Sequence, residues 1–251
     1  MFETIRRIIY LTLLLCVMQV MQAGESDRKE LFDRGWRFSL GNLENAHQAV
    51  YDDSSWRLLN LPHDWSVEPL KEQIPDETIG PFSKKSPGGA ATGQTLGGEG
   101  WYRKTFVISP EDAGKRHELY FEGIYNQSEI WVNGRKAHRN VYGYSTFRFD
   151  ITPYCNPAGQ ENVIAVRVIN EGKNSRWYTG SGIYRHVWMI RTSPSHIDDW
   201  GTFITTNRVA DNQADISLTT TVVNGNDSTT DFEVCIELVS PTGKIVSKAT
   251  Q

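Results

Sequence analysis

Three turn segments concentrate aromatic and charged side chains in this sequence. They are residues 61–65 (LPHDW), 100–103 (GWYR) and 175–185 (SRWYTGSGIYR). Aromatic rings stack on the apolar C–H face of a pyranose, and planar Arg, Asp and Asn groups form paired hydrogen bonds with hydroxyls. The residue types at these turns are therefore suited to binding a sugar.

Three neighbouring residues are the first candidates for contact with such a ligand. Arg176, Trp177 and Tyr178 lie in a loop between two predicted strands, where binding residues concentrate, and we expect them to face a cleft. Asp64 has two interpretations, because its carboxylate is able either to bind a ligand or to cap a turn.

Most of the other aromatic residues are expected to be structural. The tryptophans that lie within or beside strand patterns are predicted to pack in the core rather than to bind a ligand. They are Trp36, Trp56, Trp101, Trp131 and Trp188. The six histidines are scattered, so each is expected to be solvated or internally hydrogen-bonded.

The sequence contains no recognisable catalytic motif. It has no GxSxG, HExxH, Walker loop or dinucleotide-binding glycine pattern. Its 30 acidic residues show no spacing that singles out a catalytic pair, and no CxxC or clustered-histidine spacing suggests a metal site. We therefore predict no catalytic residue, no metal and no cofactor in this chain, which taken alone resembles a binding or architectural module.

The composition is that of an ordinary globular protein. The chain has 251 residues, of which 22% are charged, with a formal net charge of −4, which excludes collagen-like, strongly disordered and coiled-coil classes. It lacks the basic cluster that a nucleic-acid partner needs. A content of 8 Trp, 10 Tyr and 10 Phe favours a β-sandwich over a helix bundle.

The first 23 residues have the order of a secretory signal peptide. Two arginines precede the apolar run at residues 8–18 (IIYLTLLLCVM), and small residues follow it. This run is shorter than the ~20 residues of an ordinary membrane span. We predict cleavage after Ala23 and export to the periplasm or the cell exterior. A lipoprotein anchor at Cys16 ranks second, because Leu15 is not the small residue that such an anchor needs.

The remaining chain predicts an all-β protein. Apolar and polar residues alternate in short pieces bounded by Gly, Pro, Asn or Asp. Residues 163–169 (VIAVRVI) predict a central strand that is buried on both faces. Asn133-Gly134 predicts a hairpin with a type I′ turn, which needs a positive φ at both positions. Only residues 111–116 and 68–73 suggest a helical turn.

Two irregular segments interrupt the predicted strands. Residues 71–100 are rich in Gly and Pro and predict a long loop, which in a compact domain is usually functional or disordered. Residues 193–195 predict a linker, which separates one domain over 24–193 from a second over 194–251. An immunoglobulin-like sandwich usually needs about seven strands. The last segment supplies about four, so we expect the chain to end inside that domain.

Two cysteines follow the predicted leader. Cys155 and Cys235 fall in different predicted domains. Export would permit a disulfide between cysteines, but we expect two buried free thiols.

Six segments in consistent order and spacing, between about Trp36 and Arg191, carry a family resemblance. They read LPHDW, GEGWYRKTF, FEGIYNQSEIWVNG, GYSTFRFDIT, NVIAVRVIN and SRWYTGSGIYRHV. Together they resemble the amino-terminal region of glycoside hydrolase family 2, the family of β-galactosidases, β-glucuronidases and β-mannosidases. The resemblance implies a jelly-roll sugar-binding domain, then an immunoglobulin-like domain, then a TIM barrel with two catalytic glutamates. We expect that barrel beyond Gln251 and assign neither glutamate here.

The resemblance also implies substrate contacts, because loops of the first domain complete the pocket of the barrel in family members. The residues carried over as substrate-binding are Asp64, Asn170, Arg176, Trp177 and Tyr178. Of these, Asp64 is expected to support the loops that hold the others. The sequence departs from many relatives at Ile169, where they carry an acidic residue, and some other members are acidic at the position of Arg176. The sugar specificity is therefore not transferred from either group.

We predict the amino-terminal part of a secreted retaining exo-β-galactosidase, because SRWYxGSGIYR resembles the β-galactosidase-type branch of secreted bacterial enzymes. A retaining mechanism uses two carboxyl groups ~5–5.5 Å apart. Both are expected in the barrel, so this chain alone should be inactive. Its partner would be a β-galactoside-like carbohydrate, with no nucleic acid and no membrane after leader removal. A homo-oligomer is compatible with the full-length form. The alternatives are a β-glucuronidase or β-mannosidase, a stand-alone carbohydrate-binding module, and a structural domain without ligand.

Overall fold

The computed structural model describes residues 28–68, 78–79, 82–83, 86, 94–171, 179–211 and 213–251. Within these ranges the chain is all-β, as predicted, with three short 3-10 helices at Trp65–Val67, Pro110–Asp112 and Thr152–Tyr154. It divides into two compact units between Thr192 and Ser193. The predicted signal peptide, residues 1–23, lies outside the described residues.

The first unit contains twelve of the described strands. They are β1 (Lys29–Leu31), β2 (Trp36–Leu40), β3 (Arg57–Leu59), β4 (Thr78–Ile79), β5 (Phe82–Ser83), β6 (Gly98–Val107), β7 (Arg116–Phe121), β8 (Gln127–Val132), β9 (Arg135–Asn140), β10 (Phe147–Asp150), β11 (Glu161–Asn170) and β12 (Val187–Thr192).

Two antiparallel sheets form a sandwich in this unit. One has the strand order β1-β12-β7-β10, and the other has the order β3-β2-β6-β11-β8-β9. Alternate side chains of each strand point between the sheets and build a core of aromatic and branched residues. Trp36, Leu119 and Ile164 are among its fully buried members. The predicted all-β sandwich is therefore confirmed.

Strand β11 is central, as the sequence predicts, but its two faces differ. It pairs with β6 on one side and β8 on the other. Ile164, Val166 and Val168 are fully buried on the inner face. On the outer face Ala165 is buried, whereas Ile169 is only half-buried. The prediction of burial on both faces is therefore only partly right, because the outer face is covered along part of its length.

The predicted turn at Asn133-Gly134 is confirmed. It joins β8 to β9 in an antiparallel pair. Asn133 has φ 51° and Gly134 has φ 77°, the positive values that a type I′ turn requires.

A smaller aromatic cluster covers the outer face of the six-stranded sheet. Trp56 and Trp101 are buried there, as predicted, together with Ala46 and Ala165. Trp131 stacks on Trp101 with 5.5 Å between ring centroids. Because it lies at the rim of this cluster, it is half-buried rather than part of the inner core.

Trp188 also departs from the predicted core position. It lies on the outer face of the four-stranded sheet and is half-buried. Its indole Nε1 donates to Glu122 at 2.8 Å, and Lys29 Nζ lies 4.1 Å from its ring centroid. A tryptophan on an outer sheet face keeps its polar edge bonded in this way.

The predicted helical turn at residues 111–116 is shorter in the structure than the sequence suggested. Residues 111–116 contribute to a single 3-10 turn, Pro110–Asp112, which Ser109 caps by accepting from the Glu111 N–H at 3.3 Å. Most of the other predicted turn, residues 69–73, lies outside the described residues. Within the described ranges, no helix has the length and apolar character needed to span a membrane.

The second unit contains two antiparallel hairpins. The strands are β13 (Ser195–Ala210) with β14 (Gln213–Asn224), and β15 (Cys235–Val239) with β16 (Ile245–Thr250). The four strands agree in number with the sequence prediction. Both cysteines are free thiols, as expected, but the expectation of burial was wrong: Cys155 of the first unit is half-buried and Cys235 is exposed.

Candidate functional site

The LPHDW segment forms a turn that is fixed by the Asp64 carboxylate. Asp64 precedes the short helix Trp65–Val67, and its Oδ1 accepts from the Ser66 N–H at 2.9 Å. The same oxygen accepts from the Ser181 N–H at 2.8 Å. Asp64 is therefore a turn cap, as one interpretation of the sequence held, and it also ties this turn to a segment 117 residues further along the chain.

Gly180 permits this close approach. A Cβ at Gly180 would lie 2.0 Å from Asp64 Oδ2. Only a hydrogen atom fits at that distance. The glycine in the TGSG stretch is thus required by the position of the carboxylate.

Asn170, another predicted site residue, ends β11 beside the same segment. Its side chain is 4% exposed. Its Nδ2 donates to Ser181 Oγ at 2.7 Å and to the Gly180 carbonyl at 3.2 Å. Gly97 allows the Asn170 backbone to come close, because a Cβ there would lie 2.2 Å from the Asn170 carbonyl oxygen.

Two serines complete the connection between the turn and the strand. Ser66 Oγ lies 2.7 Å from Ser181 Oγ and 2.6 Å from the Leu96 carbonyl oxygen. A hydroxyl has one proton to donate. The Asn170 amide and the two hydroxyls are all paired when Asn170 donates to Ser181, Ser181 donates to Ser66, and Ser66 donates to the Leu96 carbonyl. We call Asp64, Ser66, Asn170, Gly180 and Ser181 the polar network.

The predicted residues Arg176, Trp177 and Tyr178 lie outside the described residues, within 172–178. The described residues that flank this segment either belong to the polar network or form hydrogen bonds with residues beside it. Asn170 lies on one side, and Thr179 lies on the other, where its carbonyl accepts from Thr95 Oγ1 at 3.2 Å. Thr95 and Thr179 are both buried.

An aromatic and titratable layer supports the polar network. His63 Nδ1 lies 2.7 Å from the Tyr102 hydroxyl, and Nε2 lies 3.0 Å from Glu68 Oε1. Burial lowers the pKa of His63, against the opposing effect of Glu68. Burial also raises the pKa of Tyr102 well above its ordinary value. Arg57 Nη2 lies 2.7 Å from the same Nε2, so Nε2 faces both a donor and an acceptor. In either neutral tautomer, Nδ1 keeps a hydrogen bond with the Tyr102 hydroxyl.

Gly182 packs directly against this layer. Its φ is +128°, and a Cβ would lie 2.4 Å from the Tyr102 hydroxyl oxygen and 2.6 Å from the His63 carbonyl oxygen. The His63 N–H donates to the Ile183 carbonyl at 2.8 Å. The SGIYR stretch is therefore held both by the polar network and by the aromatic layer.

The chemistry available here is binding and positioning. The Asp64 carboxylate accepts two backbone N–H bonds, and Glu68 accepts from Arg57 at 2.8 and 2.9 Å. In the part of the chain that the structure describes, no three His, Cys, Asp or Glu side chains are placed to hold a metal ion.

Sequence reasoning missed Ser66, Ser181 and the supporting pair of His63 and Tyr102. A local signal existed for Ser66, because Asp-x-Ser is a sequence that forms turns in which the Asp side chain accepts from the backbone two residues later. No local signal existed for Ser181, since its partners lie far away in sequence.

Known proteins match this chain along most of its length. A profile described as "Glycosyl hydrolases family 2, sugar binding domain" matches residues 30–194. Beta-galactosidase BoGH2A of Bacteroides ovatus is 43% identical over 218 residues, which cover 86% of this chain and 24% of that protein. A beta-glucuronidase of Formosa agariphila is 25% identical over 242 residues, which cover 88% and 23% respectively.

A solved structure agrees with the sequence matches. The crystal structure of a glycosyl hydrolase family 2 member from Bacteroides cellulosilyticus aligns with a TM-score of 0.80 and 41% identity, over 89% of this chain and 28% of that one. The chain thus spans roughly a quarter of the length of these relatives. With the profile match and the shared fold, these similarities show that the chain belongs to glycoside hydrolase family 2.

Proposed function

We propose that this chain is the amino-terminal part of a retaining exo-β-galactosidase and that it supplies sugar-contacting residues to that enzyme. The observation that carries the proposal is the 43% identity to a beta-galactosidase over 86% of the chain. Both carboxylates of a retaining mechanism would come from the remainder of the enzyme. This chain alone would not turn over substrate.

The polar network gives this chain a physical role in the enzyme. It anchors Asn170 and the Thr179–Ser181 stretch, between which Arg176, Trp177 and Tyr178 lie in sequence. Residues that contact a substrate must be held close to their productive positions, because a small displacement lowers the rate strongly. In this proposal Arg176, Trp177 and Tyr178 contact the sugar, and Asn170, whose amide donates to Ser181 and Gly180, holds the end of β11 beside them.

A β-glucuronidase is the second candidate, favoured by the similarity to the Formosa agariphila beta-glucuronidase. A glucuronide differs from a galactoside in the configuration of the C4 hydroxyl and in carrying a carboxylate in place of the C6 hydroxymethyl group. A cationic partner for that carboxylate, such as a positioned guanidinium, would favour the glucuronide. Arg176 is the candidate cation in this chain.

A panel of nitrophenyl β-glycosides tests both candidates. The enzyme to assay is the longer protein that contains this chain, on the galactoside, glucuronide and mannoside. We expect the highest kcat/KM on the galactoside. A highest value on the glucuronide would replace the galactosidase proposal with the second candidate. No hydrolysis of any glycoside, with retained galactose binding, would favour a carbohydrate-binding module.

The contact role of Trp177 has its own test. Trp177→Ala in the longer enzyme is expected to lower kcat/KM for the preferred glycoside, because stacking on the sugar is lost. Trp188→Ala is the matched control, since it truncates a tryptophan of the same unit on an outer sheet face. Equal kcat/KM for wild type and Trp177→Ala would remove Trp177 from the site.

We also propose that the protein is exported, on the basis of the leader-like residues 1–23. Amino-terminal sequencing of the mature protein from a periplasmic or culture fraction should begin at Gly24. Recovery of an intact Met1 from the cytoplasmic fraction would contradict export.

A further inference from the structure

The loop between β9 and β10 exposes two tyrosine rings. It comprises residues 141–146 (VYGYST), in which Tyr142 is 62% exposed and Tyr144 is 53% exposed. Their ring centroids lie 5.9 Å apart, and the Tyr144 ring centroid lies 5.1 Å from that of the buried Tyr125. A single exposed apolar side chain needs no explanation, but a contiguous aromatic patch marks an interaction site.

The backbone of this loop is held in place by its neighbours. Asn140 Nδ2 donates to the Tyr142 carbonyl at 2.9 Å, and the Tyr184 hydroxyl donates to the Gly143 carbonyl at 2.8 Å. Gly143 packs against the Tyr125 ring, because a Cβ there would lie 2.4 Å from Tyr125 Cδ2. Rings on a fixed backbone lose little conformational entropy when a ligand stacks on them. We call Tyr125, Tyr142, Tyr144 and Tyr184 the tyrosine cluster.

The tyrosine cluster lies at the end of the sandwich that carries the polar network. Strand β8 begins at Gln127, whose partner in the sheet is Ile169, next to Asn170 at the end of β11. Tyr125 precedes that start by two residues and exchanges two backbone hydrogen bonds of 2.9 and 2.8 Å with Gly182. Gly182 directly follows the polar network in sequence. The cluster is therefore continuous with the candidate site.

We propose that Tyr142 and Tyr144 form a platform for the sugar unit next to the terminal one, so that the enzyme acts on galactosyl oligosaccharides. This inference rests on the proposed function, in which Arg176, Trp177 and Tyr178 contact the terminal galactose. Tyrosine rings stack on the C–H face of a pyranose, and their hydroxyls both donate and accept. Continuity with the candidate site favours a sugar over a protein partner as the occupant.

Two classes of galactoside that release the same product test the platform in the longer enzyme. Methyl β-D-galactoside carries no second sugar, whereas the β1,3-, β1,4- and β1,6-linked galactobioses each carry one. Galactose release is measured for all of them. We expect Tyr142→Ala and Tyr144→Ala each to lower kcat/KM by about fivefold to tenfold on at least one galactobiose, and by less than about twofold on methyl β-D-galactoside.

Two control variants separate stacking from other effects. Tyr144→Phe keeps the ring, so it should retain most of the kcat/KM that Tyr144→Ala loses on the galactobiose. Tyr120→Ala removes a half-buried tyrosine that pairs with Trp188 in the four-stranded sheet, outside the tyrosine cluster. It should change kcat/KM by the same factor on both classes of substrate.

Three results would overturn the proposal. Values of kcat/KM for Tyr142→Ala and Tyr144→Ala that are unchanged, or changed equally on both classes, would show that the cluster does not bind a second sugar. A lower melting temperature of the longer enzyme without a substrate-dependent change would show that the rings pack against the remainder of that enzyme. Wild-type enzyme that releases no galactose even from methyl β-D-galactoside would contradict the proposed function, and the platform with it.

Discussion

The two ends of β6 bury polar groups in opposite ways. At the Gly98 end, the polar network satisfies Asp64, Ser66 and Asn170 within the protein. At the Val107 end, His117 is equally buried, but neither of its ring nitrogens has a partner of normal geometry within the described chain. A fully satisfied network stabilises and positions its neighbours, whereas a buried polar group without a good partner costs stability. The comparison separates a satisfied supporting network from a poorly satisfied buried histidine in the same sandwich.

The largest effect is expected from removing the centre of the polar network. Asp64→Ala leaves the Ser66 and Ser181 N–H groups without their acceptor, which should lower the free energy of unfolding by about 2–5 kcal/mol. Asp52→Ala is the matched control, because Asp52 accepts from the Ser54 N–H at 3.0 Å in an exposed turn. Urea unfolding should give a much smaller loss for this control. Equal losses would show that Asp64 only caps a local turn.

A smaller loss is expected at Gly180. Gly180→Ala places a methyl group against Asp64 Oδ2, where a Cβ would be 2.0 Å away. Relief of this overlap moves the carboxylate from its two donors and should cost about 1–3 kcal/mol. Thermal unfolding measures the change. An unchanged melting temperature would contradict the close approach on which the network depends.

Replacing a buried histidine with leucine should change the free energy of unfolding in opposite directions at the two ends of β6. His117→Leu removes an unsatisfied buried group and should raise the free energy of unfolding by about 1 kcal/mol. His63→Leu should lower it, because the fully buried Tyr102 hydroxyl loses its hydrogen bond with the imidazole. Urea unfolding of both variants makes the comparison. Losses of unfolding free energy of similar size in both variants would show that the two histidines do not differ in how well they are hydrogen-bonded.

The smallest effect concerns pH. Burial lowers the pKa of His117 below its ordinary value of 6.5, so the unfolded state binds more protons as the pH falls through 6.5. The free energy of unfolding therefore decreases on acidification below that pH. His117→Leu should make this dependence shallower. Unchanged slopes between pH 7 and 5, measured by urea unfolding, would contradict a neutral buried imidazole.

Local patterns predicted the elements of the fold because the relevant physics is local. The positive φ at Asn133-Gly134 and the apolar run in β11 follow from the conformational preferences of short segments. Trp131 and Trp188 were predicted less well. Alternation shows which residues share a face of a strand, but not which face is outermost in the sheet.

The candidate site was predictable only in part, because its contacts join distant segments. Asp64 and Asn170 were identified through the family resemblance, and the structure brings both into one network. Ser181 gave no local signal, since the residues that it contacts lie 11 to 117 positions away. The sequence also did not show that His117 lacks a hydrogen-bond partner of normal geometry, because the strand pattern places the histidine inward but does not identify its neighbours.

The central claim is that the polar network positions sugar-contacting residues and does not merely stabilise the fold. The most direct test is kcat/KM of the longer enzyme with Ser181→Ala, which removes the hydroxyl that joins Asn170 to Ser66. Ser128→Ala is the control, because Ser128 is buried and its Oγ has no partner within the described residues. We predict that Ser181→Ala lowers kcat/KM on the preferred glycoside by about tenfold or more while the enzyme stays folded, and that Ser128→Ala leaves it unchanged. A value of kcat/KM for Ser181→Ala equal to that of the wild type would contradict the account.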